Sequence, residues 1–163
     1  MRAVIQRVSQ AQVAVDGEVI GQIGLGLMVL LGISTDDTER ELRWLSDKVM
    51  GLRVFMDQSG KMSRSLREVG GALLVVSQFT LYGEVRRGLR PDFQRAAPWQ
   101  PARTLYEAFV ARCREQGFTV ATGEFGAHME VSLVNTGPVT IIIDTDEVMA
   151  DGKRAVSDGA RHA

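Results

Sequence analysis

Polar side chains follow a strongly apolar run near the middle of the chain. Residues 72–76 read ALLVV, and the next four are Ser77, Gln78, Phe79 and Thr80. We predict that the strand continues through all four, so that odd- and even-numbered side chains face opposite ways. A hydroxyl acts as a nucleophile only with a base beside it, and no histidine or carboxylate is nearby in the sequence. On sequence alone the segment is more typical of a strand that leaves the core with its polar groups satisfied by neighbours. If the segment is functional, it favours polar and backbone N–H groups that orient a substrate over a catalytic triad.

A second unusual stretch, NTGP at residues 135–138, lies between two apolar segments. We predict strands at 128–134 and 138–143 joined by a hairpin turn, because Asn, Thr and Gly supply good turn chemistry. Pro138 is tolerated as the first residue of the second strand. About 5–6% of X-Pro bonds in folded proteins are cis, so the sequence alone favours a trans bond between Gly137 and Pro138.

The loop at 83–100 carries three arginines close together, Arg86, Arg87 and Arg90. Guanidinium groups bind phosphate oxygens well, so the loop is a candidate nucleic-acid contact. The alternative is a solvated surface loop, because the formal net charge of −1 gives no general basic field around the protein.

Few other side chains could carry chemistry. His128 is expected in a strand, as a surface or rim residue, and Cys113 on the apolar face of a helix. One cysteine and two histidines rule out an internal disulfide and make the usual zinc sites and most histidine-based triads difficult to build. Arg7 shares a strand face with Ala3 and Ile5, and it either pairs locally or reaches a site.

The elements that position these residues form an α+β pattern. An apolar stripe between residues 42 and 52 predicts a helix capped within 34–37, and a second helix begins at Pro101 and ends at Gly117. Asp16-Gly17 predicts a hairpin turn. Further strands are predicted at 2–8, 11–15, 18–23, 26–34 and 53–57. We therefore predict a β-rich sheet or open barrel with two main helices packed against it.

A chain of 163 residues without internal repeat or linker suits a single domain. Residues 145–163 form a polar tail that we predict to be disordered. The first ten residues lack the apolar segment of a signal peptide, and the longest apolar run, near 26–33, is too short to span a bilayer. We expect a cytoplasmic protein with no membrane association.

Three blocks of the sequence resemble one enzyme family. They read IQRVSQAQVAVDGEVIGQIGLGLMVLLGI, GGALLVVSQFTLYG and FGAHMEVSLVNTGPVTI. Their order and spacing are similar to those of D-aminoacyl-tRNA deacylases of the bacterial and eukaryotic type. The resemblance runs from Met1 to about Asp144, so we assign a deacylase domain to 1–144. Thr136 stands where the family often has an acidic residue, which bears on the hydrogen bonds of that turn.

The resemblance implies a homodimer without metal or cofactor that hydrolyses the ester between a D-amino acid, or glycine, and the 3′ end of tRNA. It implies that residues 77–80 form the catalytic segment, and that Met129 and the Gly137-Pro138 pair bind the substrate. In the family the Gly-Pro bond is cis and enters the partner subunit's pocket, and the arginine matching Arg7 helps to hold it. A rigid backbone at that place would reject L-amino acids.

Alternatives stay open within this resemblance. Thr80 is either the nucleophile or a positioning group, with the 2′-hydroxyl of the terminal adenosine assisting instead; the missing base favours the second view. One alternative function is the related deacylase that removes L-alanine from tRNA, although the intact SQFTL segment argues against it. Another is a non-catalytic dimer that binds nucleic-acid ends through the three loop arginines.

Overall fold

The computed structural model describes residues 1–149 and shows an α+β fold. Its strands are β1 (Arg2–Val15), β2 (Glu18–Ile23), β3 (Gly26–Gly32), β4 (Arg53–Met56), β5 (Met62–Ser65), β6 (Ala72–Ser77), β7 (Val120–Thr122) and β8 (Glu130–Asp144). Its helices are α1 (Glu39–Gly51), α2 (Trp99–Glu115) and a short 3₁₀ helix (Phe79–Tyr82). The predicted fold class, α+β with two main helices, is confirmed.

The main sheet depends on β1, which pairs on one side with β3 and then β2, and on the other side with β8. β6 lies parallel to both β3 and β7, while the pairs made by β1 are antiparallel. The outer strands β2 and β7 approach closely, because a Cβ added to Gly21 would lie 2.5 Å from the carbonyl oxygen of Thr122. The sheet is therefore nearly closed into a barrel, and glycine is required at this contact.

Burial on both faces of β6 explains its continuous apolar run. Leu73 and Val75 pack in the cluster that includes the helices, whereas Leu74 and Val76 pack in a second cluster inside the barrel. A strand covered on both faces has no polar side to alternate with. The helix residues buried against the first cluster include Leu42, Leu45, Val49, Phe109, Val110 and Cys113.

Side-chain and backbone bonds set the helix ends. α1 begins after Thr38, one residue past the predicted cap, where Thr38 and Glu41 form a reciprocal capping box. α2 begins at Trp99 rather than Pro101, because a proline is tolerated throughout the first helical turn, where N–H groups have no helical acceptor. α2 ends at Glu115, and Gly117, the predicted stop, follows its cap with a left-handed φ of 84°.

Two strand predictions were wrong. β6 ends at Ser77, the last residue with a pairing partner in β3, so the alternation predicted for residues 77–80 does not exist. β8 is a single strand of 15 residues that passes through NTGP, where we predicted a hairpin. A local bulge opposite Arg7 accommodates Pro138, which lacks an N–H for the ladder. His128 precedes β8 and lies outside any strand.

The hairpin at Asp16-Gly17 is confirmed, with left-handed φ values of 51° and 81°. No helix within residues 1–149 is long and apolar enough to cross a membrane. Residues 145–149, the start of the tail predicted to be disordered, are helical, and Thr145 is buried. The rest of the tail lies outside the described residues, which end at 149.

Candidate active site

A pocket of about 380 Å³ opens where β6 ends. Ser77 and Gln78 contribute polar groups to its wall, and most of the rest is apolar. Other parts of the wall come from the start of α2 and from the segment leading into β8, including Trp99, Phe125, Met129 and Val131. A concave, mainly apolar site with a few polar groups is typical of small-molecule recognition.

Arg2, at the start of β1, holds the 3₁₀ helix beside this pocket. Its Nη1 donates to the carbonyl oxygen of Leu81 at 2.9 Å, and its Nε donates to Asp144 at 2.6 Å. The guanidinium carbon also lies 4.6 Å from the centre of the Tyr82 ring. Burial raises the pKa of the Tyr82 phenol, which therefore stays neutral. These contacts fix the 3₁₀ helix against both β1 and the end of β8.

Two backbone N–H groups are left without a protein acceptor at the end of β6. The N–H of Gln78 still donates to the carbonyl oxygen of Leu31, at 2.8 Å. Within residues 1–149, the next two N–H groups, those of Phe79 and Thr80, donate to no protein group. The start of any helix leaves such donors unsatisfied. They are suited to a carbonyl oxygen that gains negative charge.

The hydroxyl of Thr80 has an amide partner and no base. It accepts a hydrogen bond from the side-chain Nε2 of Gln78. No carboxylate or imidazole in the described part of the chain is hydrogen-bonded to it. Because a hydroxyl needs a neighbouring base to attack as a nucleophile, the arrangement favours a positioning role for Thr80.

Aromatic rings form one side of the pocket and join it to the core. The rings of Trp99 and Phe125 lie 5.0 Å apart, and those of Phe125 and Tyr106 lie 5.5 Å apart. The Tyr106 hydroxyl donates to the carbonyl oxygen of Val75 at 2.8 Å. Burial raises the pKa of Tyr106 to about 12, so the phenol remains a donor at neutral pH. This bond anchors α2 to β6 beneath the site.

His128 and Met129 reach the pocket from the segment before β8. His128 is exposed, so it lies at the rim, and Met129 is half-buried. The sequence placed His128 on the surface but gave no sign that it neighbours Ser77 and Gln78. Only the tertiary fold brings residues so far apart in the chain together. The substrate-binding role of Met129 stays a prediction.

The Gly137–Pro138 peptide bond is cis, and both residues are exposed. Behind them, Arg7 is buried and donates through Nε to the carbonyl oxygen of Thr136 at 2.8 Å and through Nη1 to that of Val54. A Cβ added to Gly137 would lie 2.7 Å from Nη2 of Arg7, and φ at this glycine is +136°. Both facts require glycine at this position.

Within residues 1–149, the Gly-Pro segment does not line the pocket of its own chain. Val131 lines it, and Gly137 follows six residues later in β8 (131 to 137). That separation corresponds to roughly 20 Å along an extended strand. One chain therefore does not bring the polar end of β6 and the Gly-Pro segment together.

The three loop arginines differ in their surroundings. Arg86 forms an ion pair with Glu84 at 2.7 Å, and hydrogen bonds from Arg86 lower the pKa of Glu84 to about 2. Arg87 and Arg90 are exposed, and neither forms an ion pair within the described residues. The loop borders the pocket, because Phe93 lies edge-on to Phe79 with ring centres 5.1 Å apart.

Residues 1–149 contain no group of three His, Cys, Asp or Glu side chains that could hold a metal ion. Cys113 is buried in the core, and burial raises the pKa of its thiol to about 12. The thiol is therefore protonated at neutral pH and unsuited to attack.

Comparison with known proteins gives consistent matches over most of the chain. The model of the D-Tyr-tRNA(Tyr) deacylase family matches residues 4–144. A D-aminoacyl-tRNA deacylase of Symbiobacterium thermophilum is 60% identical over 147 residues, covering 90% of this chain and 97% of that protein. One of Thermotoga petrophila is 54% identical over 148 residues, covering 91% and 99%.

Two solved structures are similar to this chain over most of its length. One described as c-Myc DNA Unwinding Element Binding Protein has a TM-score of 0.83 and 44% identity, covering 88% of this chain and 98% of that chain. Another, a probable eukaryotic D-amino acid tRNA deacylase, has a TM-score of 0.74 with the same coverage; at 22% identity it supports the fold alone. The family match and the sequence identities together show that the chain belongs to the D-Tyr-tRNA(Tyr) deacylase family of enzymes.

Proposed function

We propose that this protein hydrolyses the ester joining a D-amino acid to the 3′ end of tRNA. The observation that carries the proposal is the end of β6, where the N–H groups of Phe79 and Thr80 lack protein acceptors beside an apolar pocket. Family membership indicates the class of reaction. Phe79 lines the pocket and Thr80 follows it in the chain, and their N–H groups are donors of the kind that ester hydrolysis needs.

The proposed chemical step is attack of water on the ester carbonyl carbon. A tetrahedral intermediate forms, and its oxyanion accepts hydrogen bonds from the two N–H groups. The bond to the 3′ oxygen then breaks, which releases the free amino acid, while a proton from the water restores the 3′-hydroxyl. The 2′-hydroxyl of the terminal adenosine assists the water, and Gln78 and Thr80 position the substrate.

Chiral selection needs a rigid group at the place where an L side chain would lie. The backbone of Gly137 and Pro138 is exposed and held from behind by Arg7, so it is suited to fill that place in the pocket of a second subunit. Backbone there leaves no space for an L side chain, and this exclusion costs nothing for the D isomer. Glycine has no side chain to exclude, so we propose glycine mischarged on tRNA as a further substrate.

A homodimer would bring the polar end of β6 in one subunit together with the Gly-Pro segment of the other. Within the described residues, β8 pairs only with β1, which leaves a 15-residue strand with one unpaired edge. Long unpaired edges tend to pair with another chain. The strand also exposes Val131, Val134 and Ile142, the last by 72%. We propose that a second copy of this chain covers β8 and receives its Gly-Pro segment.

The loop between the 3₁₀ helix and α2, residues 83–98, is the proposed contact for the acceptor end of tRNA. Arg87 and Arg90 are exposed and unpaired within residues 1–149, whereas the charge of Arg86 is largely compensated by Glu84. The contact between Phe79 and Phe93 places this loop at the mouth of the pocket. Because the proposed substrate is a tRNA, we also propose that the enzyme is cytoplasmic.

The first test compares deacylation of D-Tyr-tRNA and L-Tyr-tRNA by the purified protein, with EDTA present. We expect the D ester to be hydrolysed roughly a hundredfold faster than the L ester, because exclusion of one isomer acts on the transition state. Binding of both esters without turnover would instead favour the nucleic-acid-binding module. Selective loss of L-alanine from mischarged tRNA would favour the related deacylase.

The cross-subunit arrangement can be tested by crosslinking. Thr136→Cys and His128→Cys place thiols at two exposed positions, one beside the Gly-Pro segment and one at the pocket rim, and the native Cys113 is buried. A short bismaleimide should join a mixture of the two variants into covalent dimers. Each variant alone is the control. A mixture that crosslinks no better than the single variants contradicts the shared site.

Thr80→Ala should retain substantial activity, with kcat within about tenfold of wild type, because no base activates the hydroxyl. Single-turnover deacylation of D-Tyr-tRNA measures this directly. Gln78→Ala is the matched variant, since it removes the hydrogen-bond partner of Thr80. Near-complete loss of turnover in Thr80→Ala with tRNA binding intact would show that Thr80 is the nucleophile. His128→Ala would then identify whether the rim imidazole serves as its base.

Replacing both Arg87 and Arg90 by alanine should weaken tRNA binding. Each lost phosphate contact makes the slope of log Kobs against log salt less negative by about 1, so the double variant should change it by about 2. Filter binding over a series of salt concentrations gives the slope. Arg86→Ala is the control and should have a smaller effect because Glu84 already pairs with it. An unchanged slope in the double variant would identify the loop as a solvated surface.

A further inference from the structure

The side chain of Asn135 is hydrogen-bonded across the Gly-Pro segment to Val139. Its Oδ1 accepts from the backbone N–H of Val139 at 2.7 Å, and its Nδ2 donates to the carbonyl oxygen of the same residue at 3.0 Å. The amide therefore spans residues 136–138 and binds both polar groups of the residue that follows them. Nδ2 also lies 3.2 Å from the hydroxyl of Thr140.

These hydrogen bonds lie where the backbone pairing between β1 and β8 is interrupted. Gln6 pairs with Thr140 and Val8 pairs with Asn135, so residues 136–139 lie opposite the single residue Arg7. Backbone groups in such a bulge lose their ladder partners. Asn135 supplies both missing bonds to Val139, and an Asn side chain commonly substitutes for backbone in this way.

Two separate contacts thus hold the segment that projects outward. Arg7 binds the carbonyl oxygen of Thr136 from inside the fold, and Asn135 joins the two ends of the bulge. Gly137 and Pro138, between these anchor points, are exposed and contribute no hydrogen bond in the described chain. Their direction therefore depends on the anchors rather than on contacts of their own.

We propose that Asn135 is a positioning residue for chiral selection, because it holds the Gly137–Pro138 backbone in the direction needed to exclude an L side chain. The inference rests on the proposed function and adds a residue to which that function assigned no role. Without the side-chain amide of Asn135, Val139 loses both hydrogen bonds that join it to the start of the bulge. The segment can then yield to an L side chain, while the donors at residues 79 and 80 are untouched.

The test measures rate constants for D-Tyr-tRNA and L-Tyr-tRNA in Asn135→Ala, Asn135→Asp and Thr140→Val. In Asn135→Ala we expect the ratio of the D rate to the L rate to fall roughly tenfold, as suits the loss of two ordinary hydrogen bonds. Asn135→Asp keeps the acceptor for the Val139 N–H, but its second carboxylate oxygen faces the Val139 carbonyl oxygen in place of a donor, so its ratio should fall as well. Thr140→Val removes the third contact of Asn135, together with the hydrogen bond that the Thr140 hydroxyl accepts from Gln6, and should keep the wild-type ratio.

The ratio of the D rate to the L rate distinguishes a positioning role of Asn135 from a merely structural one. If Asn135→Ala lowers both rates in proportion, or leaves both unchanged, the proposal is wrong. Thermal melting of each variant shows whether it is folded, and Asn135→Asp supplies the ratio if Asn135→Ala does not fold. A wild-type protein that hydrolyses neither ester overturns the proposed function itself, and that result is distinct from a variant that keeps its selectivity.

Discussion

The guanidinium of Arg7 is a buried charge, and the course of β8 opposite it depends on the hydrogen bonds that this group donates. Its side chain is 6% exposed, and a buried charge is costly unless its donors are satisfied. The carbonyl oxygens of Thr136 and Val54 accept its hydrogen bonds. Because the Thr136 carbonyl is turned inward, the chain bulges and Gly137 and Pro138 face solvent. The buried guanidinium thus holds the bulge that presents the exposed segment.

The polar end of β6 has a different physical origin. β6 is covered on both faces, so its side chains are apolar until its pairing partner β3 ends. Beyond Ser77 the backbone has no ladder to join, and it coils into a short 3₁₀ helix whose first N–H groups lack acceptors. Arg2 fixes that helix through the carbonyl of Leu81. The unsatisfied donors therefore follow from where β3 stops.

Local sequence patterns correctly predicted the elements whose structure depends on residues nearby in the chain. The apolar stripe of α1, the turn at Asp16-Gly17 and the stop at Gly117 depend on neighbours within a few residues, and the structure confirms them. The continuous course of β8 depends instead on a bulge against Arg7, more than a hundred residues away in sequence. His128 reaches the rim near Gln78 only through tertiary packing. The family resemblance predicts that residues 77–80 and the Gly137–Pro138 pair form one site, but their separation within one chain required coordinates.

That separation follows from the geometry of β1. Arg2 and Arg7 lie five residues apart on this strand, roughly 17 Å, and side chains an odd number of residues apart point to opposite faces. Arg2 holds the 3₁₀ helix that carries the free N–H groups, and Arg7 holds the Gly-Pro segment. A single strand that anchors both on opposite faces cannot direct both at one ester bond. The proposed second copy would resolve this conflict, because the segment held by Arg7 in one chain would then meet the donors held by Arg2 in the other.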